Sequence, residues 1–233
     1  TLAWVIESNL REATLQERSN NLLGRYFSPE VRDEIEKNKL DFNQNSEKEQ
    51  NIAVMFTDIS DFTKLSEGLE PKDVLKLLSE YQTKMVAAVF QNGGSGDKFI
   101  GDSVMATFGT PVSRGNDAQN ALNCIRQMQI SMREWEKERS DKDLPVIKHR
   151  VGVHYGSCFV GNVGSEDRVE FTVIGDTVNV ASRICEACKD VKSDILISDE
   201  VKLRLSENLP TEEVKNFEVR GRDKKITLHK LTV

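Results

Sequence analysis

Residues 98–108 read KFIGDSVMATF, and this stretch decides the fold. Two apolar, strand-like halves flank Gly101-Asp102, and a glycine at the first central position of a two-residue connection suits a type II′ hairpin turn. Working outward, residues 52–56 (IAVMF) form a continuous apolar run ending at Thr57-Asp58, which predicts a buried strand. Between that strand and the hairpin, Pro71 opens a helical stretch in which Val74, Leu77, Leu78, Tyr81, Met85 and Val89 recur at three- and four-residue spacing. Helical spacing returns over residues 116–138 through Ala118, Leu122, Ile125 and Met128. KHRVGVHYG (148–156) and CFVGNVG (158–164) predict two further strands, with residues 161–164 read as a turn. The strand FTVI, a helix from Asp176, the strand ILIS, a short helix and a last strand pair near residues 212–220 and 225–231 complete the chain. Strand–helix–hairpin–helix–strand is the order of a split βαβ unit. The predicted class is therefore α+β: a ferredoxin-like core with an antiparallel sheet and helices packed on one of its faces.

The first fifty residues differ, with one glycine, one proline and a dense mix of both charges. Leu15 and Leu22 lie seven apart, and Arg11, Arg18, Arg25 and Arg32 repeat at that interval, but too few other positions are apolar to sustain a coiled coil. Residues 1–50 are read as an N-terminal helical signalling segment whose last ten, DFNQNSEKEQ, form a linker, and residues 51–233 as one catalytic domain. The 233 residues carry 32 basic and 38 acidic side chains, a net charge of −6, which argues against nucleic acid as a partner. No apolar run approaches the roughly 18 residues of a membrane span. Four cysteines in so long a chain do not make a secreted disulfide framework, so a cytoplasmic setting is expected. The chain opens on Thr1 rather than methionine, so it is read as a piece of a longer protein whose upstream sensor or membrane domain lies elsewhere.

Asp58 ends the first strand and Asp102 sits at the hairpin tip. In a split βαβ unit these elements lie side by side, so the two carboxylates can converge into the kind of oxygen-rich site that hard divalent cations need. Ile59, Ser60, Asp61, Phe62 and Thr63 turn directly into a helix, and their backbone N–H groups are expected to face an anion. Cation ligands beside a helix start suggest a nucleoside triphosphate. Other signals read as structural. Cys185 and Cys188 form a CxxC with no second pair, which points to packing rather than zinc. His154 reads as a core or edge residue, and His149 and His229 as isolated. Gly93-Gly94-Ser95-Gly96 lacks the rest of a P-loop and reads as entry into the hairpin.

Three segments, FTDISDFT (56–63), DKFIGDSVMATFG (97–109) and FTVIGDTVNVASR (171–183), resemble the signatures of class III nucleotidyl cyclases in their order and separation. The resemblance extends over residues 50–233. It implies an adenylyl or guanylyl cyclase acting as a head-to-tail homodimer, with two active sites shared across the interface. On that resemblance Asp58 and Asp102, with the Ile59 carbonyl, are metal ligands for two Mg2+ or Mn2+ ions per site. Asn179 and Arg183 resemble the ribose-orienting asparagine and the transition-state arginine, and Arg220 lies near a cation for the terminal phosphates. No dedicated general base is identified; metal coordination or Asp58 itself is left for that role. Lys98 and Thr172 fall at the two base-reading positions. A lysine only donates, suiting adenine N1, and a threonine can accept from the exocyclic amine. The expected reaction is ATP to 3′,5′-cyclic AMP and pyrophosphate, with a guanylyl cyclase or a catalytically silent nucleotide-binding partner as alternatives. The threonine resembles a class IIIb-like subgroup with bicarbonate-responsive members.

Overall fold

The computed structural model describes residue 14 and residues 48–165, 168–218 and 225–232. Apart from Thr14, which is helical, and Lys48–Gln50, the expected N-terminal segment lies outside the described residues, as does Arg220. Elements run β1 (Lys48–Ile59), α1 (Phe62–Glu67), α2 (Pro71–Gln91), β2 (Ser95–Ile100), β3 (Ser103–Phe108) and α3 (Asp117–Ser140). They continue with β4 (His149–Ser165), β5 (Arg168–Ile174), α4 (Asp176–Asp190), β6 (Ile195–Ser198), α5 (Asp199–Lys202), β7 (Thr211–Phe217) and β8 (Ile226–Leu231). The sheet order is β2-β3-β1-β4-β6-β8-β7, with β5 paired to β4. The first four strands in that order are the predicted split βαβ core: β3 and β4 flank β1, each antiparallel to it. The β4–β6 pairing is parallel.

The hairpin forms as its residues require. Gly101 has φ +64° and Asp102 stays at negative φ, the sign pattern of a type II′ turn. Pro71 occupies the first turn of α2, where its missing N–H has no helical acceptor to serve. Four sequence expectations change. β1 begins at Lys48, three residues inside the stretch read as linker. KHRVGVHYG and CFVGNVG are one 17-residue strand, and residues 161–164 lie within it rather than in a turn. The long strand carries β5 over to β2, where Thr172 meets Asp97.

The fourth change concerns the helices, which cover both faces of the sheet. Ala53 and Met55 of β1 join α2 and α3 in one core, with Tyr81, Met85, Leu122, Ile125 and Met128. Ile52, Val54 and Phe56 point the other way, into a second cluster with Ala181 and Cys185 of α4. A strand with both faces covered shows no polar alternation, which is why IAVMF is continuous. All four cysteines are free and buried. Among the described residues no helix is long and apolar enough to cross a membrane.

Candidate active site

The end of β1 and the tip of the β2–β3 hairpin meet at Asp58 and Asp102. The Ile59 amide donates to Asp102 Oδ2 at 3.1 Å, clamping the hairpin tip to the strand. Strand pairing sets Asp58 opposite Arg150 of β4, whose Nε donates to Asp58 Oδ1 at 3.1 Å. Burial pushes the Asp58 carboxyl up to about 6; the Arg150 guanidinium pulls against this, and the Asp102 and Glu186 charges add to it. Burial also raises Asp102, opposed by its own backbone amide, the Ile59 amide and Arg150. Two desolvated carboxylates share one guanidinium, so the pocket is short of positive charge. That donor set fits a hard divalent cation. Among the described residues no group of three or more His, Cys, Asp or Glu side chains is placed to hold a metal ion.

A buried polar chain supports this floor. Thr57 Oγ1 lies 2.7 Å from the Tyr81 hydroxyl and 3.1 Å from His149 Nδ1, and Gln129 Nε2 donates to His149 Nε2 at 2.9 Å. Burial lowers the His149 pKa to about 4, so the ring is neutral at pH 7. With Nε2 accepting, Nδ1 carries the proton and donates to Thr57. His149 is therefore not isolated: it joins α3 and β4 to the strand that carries Asp58. His229 is likewise engaged, with Asp199 Oδ1 at 2.9 Å from its Nε2.

The anion-facing loop differs from expectation. The Ile59 amide is engaged by Asp102, and the Ser60 amide donates to the Lys148 carbonyl at 2.8 Å. That leaves the amides of Asp61, Phe62 and Thr63 at the start of α1, where Asp61 turns the chain with φ +54°.

Lys98 and Thr172, expected as a base-reading pair, come together around a residue not anticipated. Thr172 Oγ1 donates to Asp97 Oδ1 at 2.9 Å and Oδ2 at 3.1 Å, while Lys98 Nζ lies 3.5 Å from Asp97 Oδ1 and 3.5 Å from Glu170 Oε2. Neighbouring strand residues ordinarily point to opposite faces, so sequence alone hides this partnership. The register of β2 slips between Gly96 and Lys98, which makes Asp97 the extra residue of a bulge and re-aims it. Arg150 was equally hidden, because only the β1–β4 register sets it against Asp58.

Asn179 and Arg183 lie one turn apart on α4. Asn179 is exposed. Arg183 is half-exposed and pairs with Glu186 Oε2 at 2.6 Å. The described contacts thus form two groups, Asp58–Asp102–Arg150 and Asp97–Lys98–Glu170–Thr172. Lys98 and Asp102 are four residues apart along the hairpin, one on β2 and the other in the turn.

Residues 44–232 match the family description "Adenylate and Guanylate cyclase catalytic domain". The chain belongs to that family. Relatives of this cyclase domain include adenylate cyclase 1 of Rhizobium meliloti, 32% identical over 78% of this chain and 27% of the relative. An adenylate cyclase of Anabaena cylindrica is 35% identical over 77% of this chain and 36% of its own. The chain therefore spans about a quarter to a third of the length of these curated relatives. Among solved structures, the adenylyl cyclase CyaB of P. aeruginosa superposes with TM-score 0.73 at 30% identity, covering 81% of this chain and 96% of that one. The guanylyl cyclase Cya2 also reaches 0.73, at 28% identity, covering 80% and 93%. The superposition is equal on both, so the backbone match favours neither ATP nor GTP for this chain.

The raised Asp58 pKa makes a testable statement. Between pH 3.8 and about 6 the folded protein holds a proton that the unfolded chain has released, so stability falls as pH rises through that window, by at most about 3 kcal/mol. A divalent cation opposes this loss only where the carboxylate is ionised. Mn2+ is expected to raise the thermal midpoint at pH 7.5 and to do so far less at pH 5. Equal shifts at both pH values would overturn the assignment, and Asp58→Asn is expected to flatten the difference.

Proposed function

We propose that this chain converts ATP to 3′,5′-cyclic AMP and pyrophosphate, at sites completed between two copies. The observation that carries the reading is the convergence of Asp58 and Asp102, two desolvated carboxylates fixed to one end of the sheet by the Ile59 amide. With the Ile59 carbonyl they would hold Mg2+ or Mn2+, which when bound activate the ribose 3′-hydroxyl and neutralise the triphosphate. The 3′-oxygen then bonds to the α-phosphorus as the bond to the pyrophosphate oxygen breaks, and the hydroxyl proton passes to Asp58 or to solvent water. Arg183 directs its guanidinium at charge developing on the phosphoryl oxygens, Asn179 orients the ribose, and Arg220, by its place in the sequence, meets the terminal phosphates.

Base choice follows from Lys98 and Thr172, one donor and one acceptor for the N1 and N6 edge of adenine. A second copy is supported by the surface around them: Phe99, Ile100, Phe159 and Ile174 are each about half exposed. Exposed apolar side chains flanking a polar site are the surface a partner copy would cover. Residues 1–50 are read as a signalling segment that acts on that pairing.

The test is product formation by the purified protein with ATP and GTP offered separately under Mg2+ and then Mn2+. Cyclic AMP from ATP is expected. Predominant cyclic GMP would overturn the base reading. No product from either, at concentrations where dimers form, would overturn the enzyme reading in favour of a silent nucleotide-binding partner.

A further inference from the structure

Lys98 and Thr172 share one carboxylate, and that sharing has a chemical consequence. The Asp97 side chain is 5% exposed, with both oxygens on Thr172 Oγ1 and one of them facing Lys98 Nζ. A carboxylate beside an ammonium has no proton to give, so Thr172 is the donor in these contacts. A hydroxyl has one proton. With that proton held by Asp97, Oγ1 can meet a ligand only through its lone pairs. Lys98, held between Asp97 and Glu170, can only donate. The pair therefore presents one acceptor and one donor in fixed places. Adenine answers with an amine at position 6 and a bare N1. Guanine presents the reverse, a carbonyl at position 6 and an N–H at N1. Without Asp97 the Thr172 hydroxyl would turn and serve either base.

We propose that Asp97 is the positioning residue that sets base choice, by holding the Thr172 hydroxyl as an acceptor and Lys98 as its neighbouring donor, so that the site takes a 6-aminopurine and rejects a 6-oxopurine. The inference rests on Lys98 and Thr172 being the base-contacting pair.

Its test is equilibrium binding of 3′-deoxy-ATP, 3′-deoxy-GTP and the 3′-deoxy purine riboside triphosphate that carries nothing at position 6, with Mn2+ present. None of these can cyclise, so binding is read without turnover. Wild type is expected to prefer the ATP analogue to both others. In Asp97→Ala the preference over the GTP analogue falls about tenfold, while the preference over the unsubstituted purine falls less, because the freed hydroxyl still accepts from the amine. Asp97→Asn, which turns one acceptor oxygen into a donor, gives a drop of about threefold. Adding Asp97→Ala to Thr172→Val changes the ratio over the unsubstituted purine no further, because the hydroxyl it acts through is gone. A merely structural role would weaken all three analogues alike and leave the ratios unchanged. Wild-type ratios in folded Asp97→Ala overturn the proposal; should that variant not fold, wild-type ratios in Asp97→Asn overturn it. Wild type binding neither analogue, or preferring the GTP analogue, overturns the ATP reading itself and this inference with it, before any variant is measured.

Discussion

Asp102→Asn is expected to lower turnover by at least about 10³-fold while leaving the metal-free protein as stable as wild type or more so. The two halves of this result have one cause. Asp102 is a desolvated carboxylate near Asp58, and its charge helps push Asp58 up to about 6. Asparagine keeps the shape of the side chain and, through its amide oxygen, can still accept from the Ile59 amide, so the hairpin tip stays clamped. The like-charge repulsion disappears, and so does half of the carboxylate pair that a divalent cation needs. Asp58→Asn should lose as much activity but gain less stability, because the amide oxygen can still accept from Arg150 Nε but no longer offers that guanidinium a negative charge. A group retained for packing alone would show activity and stability falling together. Product formation and thermal midpoints of the three proteins, measured without and with Mn2+, check this. Turnover within tenfold of wild type in Asp102→Asn would remove Asp102 from the site.

The parts of this molecule legible in its sequence are those fixed by local chemistry. The glycine before Asp102 announces the turn, and the prolyl start and apolar spacing of α2 announce a helix. The run IAVMF carries a further requirement: five apolar residues without alternation need cover on both faces, which α2 and α3 supply on one side and α4 on the other. The sequence hides the fused β4 because its glycines resemble turn signals, although pairing with β1 and then β5 keeps the strand continuous. Partners set by register leave no mark in the linear sequence. Arg150 stands 92 residues from Asp58, and Asp97 stands 75 from Thr172. Asp97 was adjacent to a residue already singled out, yet only the bulge puts both on one side of β2.

Gly152→Ala is expected to destabilise the domain by about 3 kcal/mol or more, lowering its thermal midpoint by roughly 10 °C, and to reduce activity in whatever fraction remains folded. Gly152 lies on β4 beneath α4, and a methyl group there would overlap the Cys185 amide nitrogen and stand 2.6 Å from its Cα. Both are backbone atoms, so no rotamer change relieves the clash; α4 must lift from the sheet. Replacing Cys185 by alanine or glycine in the same background leaves those atoms in place and should rescue nothing. A side-chain clash would be rescued, which separates the two causes. Gly68 makes the control: at φ −93° a Cβ there meets only the Leu65 carbonyl at 3.8 Å, so Gly68→Ala should be neutral or mildly stabilising. The activity loss follows from what α4 carries. Asn179 and Arg183 are mounted on the same helix, and Glu186, the partner of Arg183, adds its charge to the environment of Asp58. A helix raised by an ångström carries these groups off their geometry, and a displacement of that size can cost about a hundredfold in rate. The close approach at Gly152 is thus a packing requirement on which the proposed roles of Asn179 and Arg183 also depend, and folded Gly152→Ala protein with wild-type turnover would show that α4 tolerates the shift.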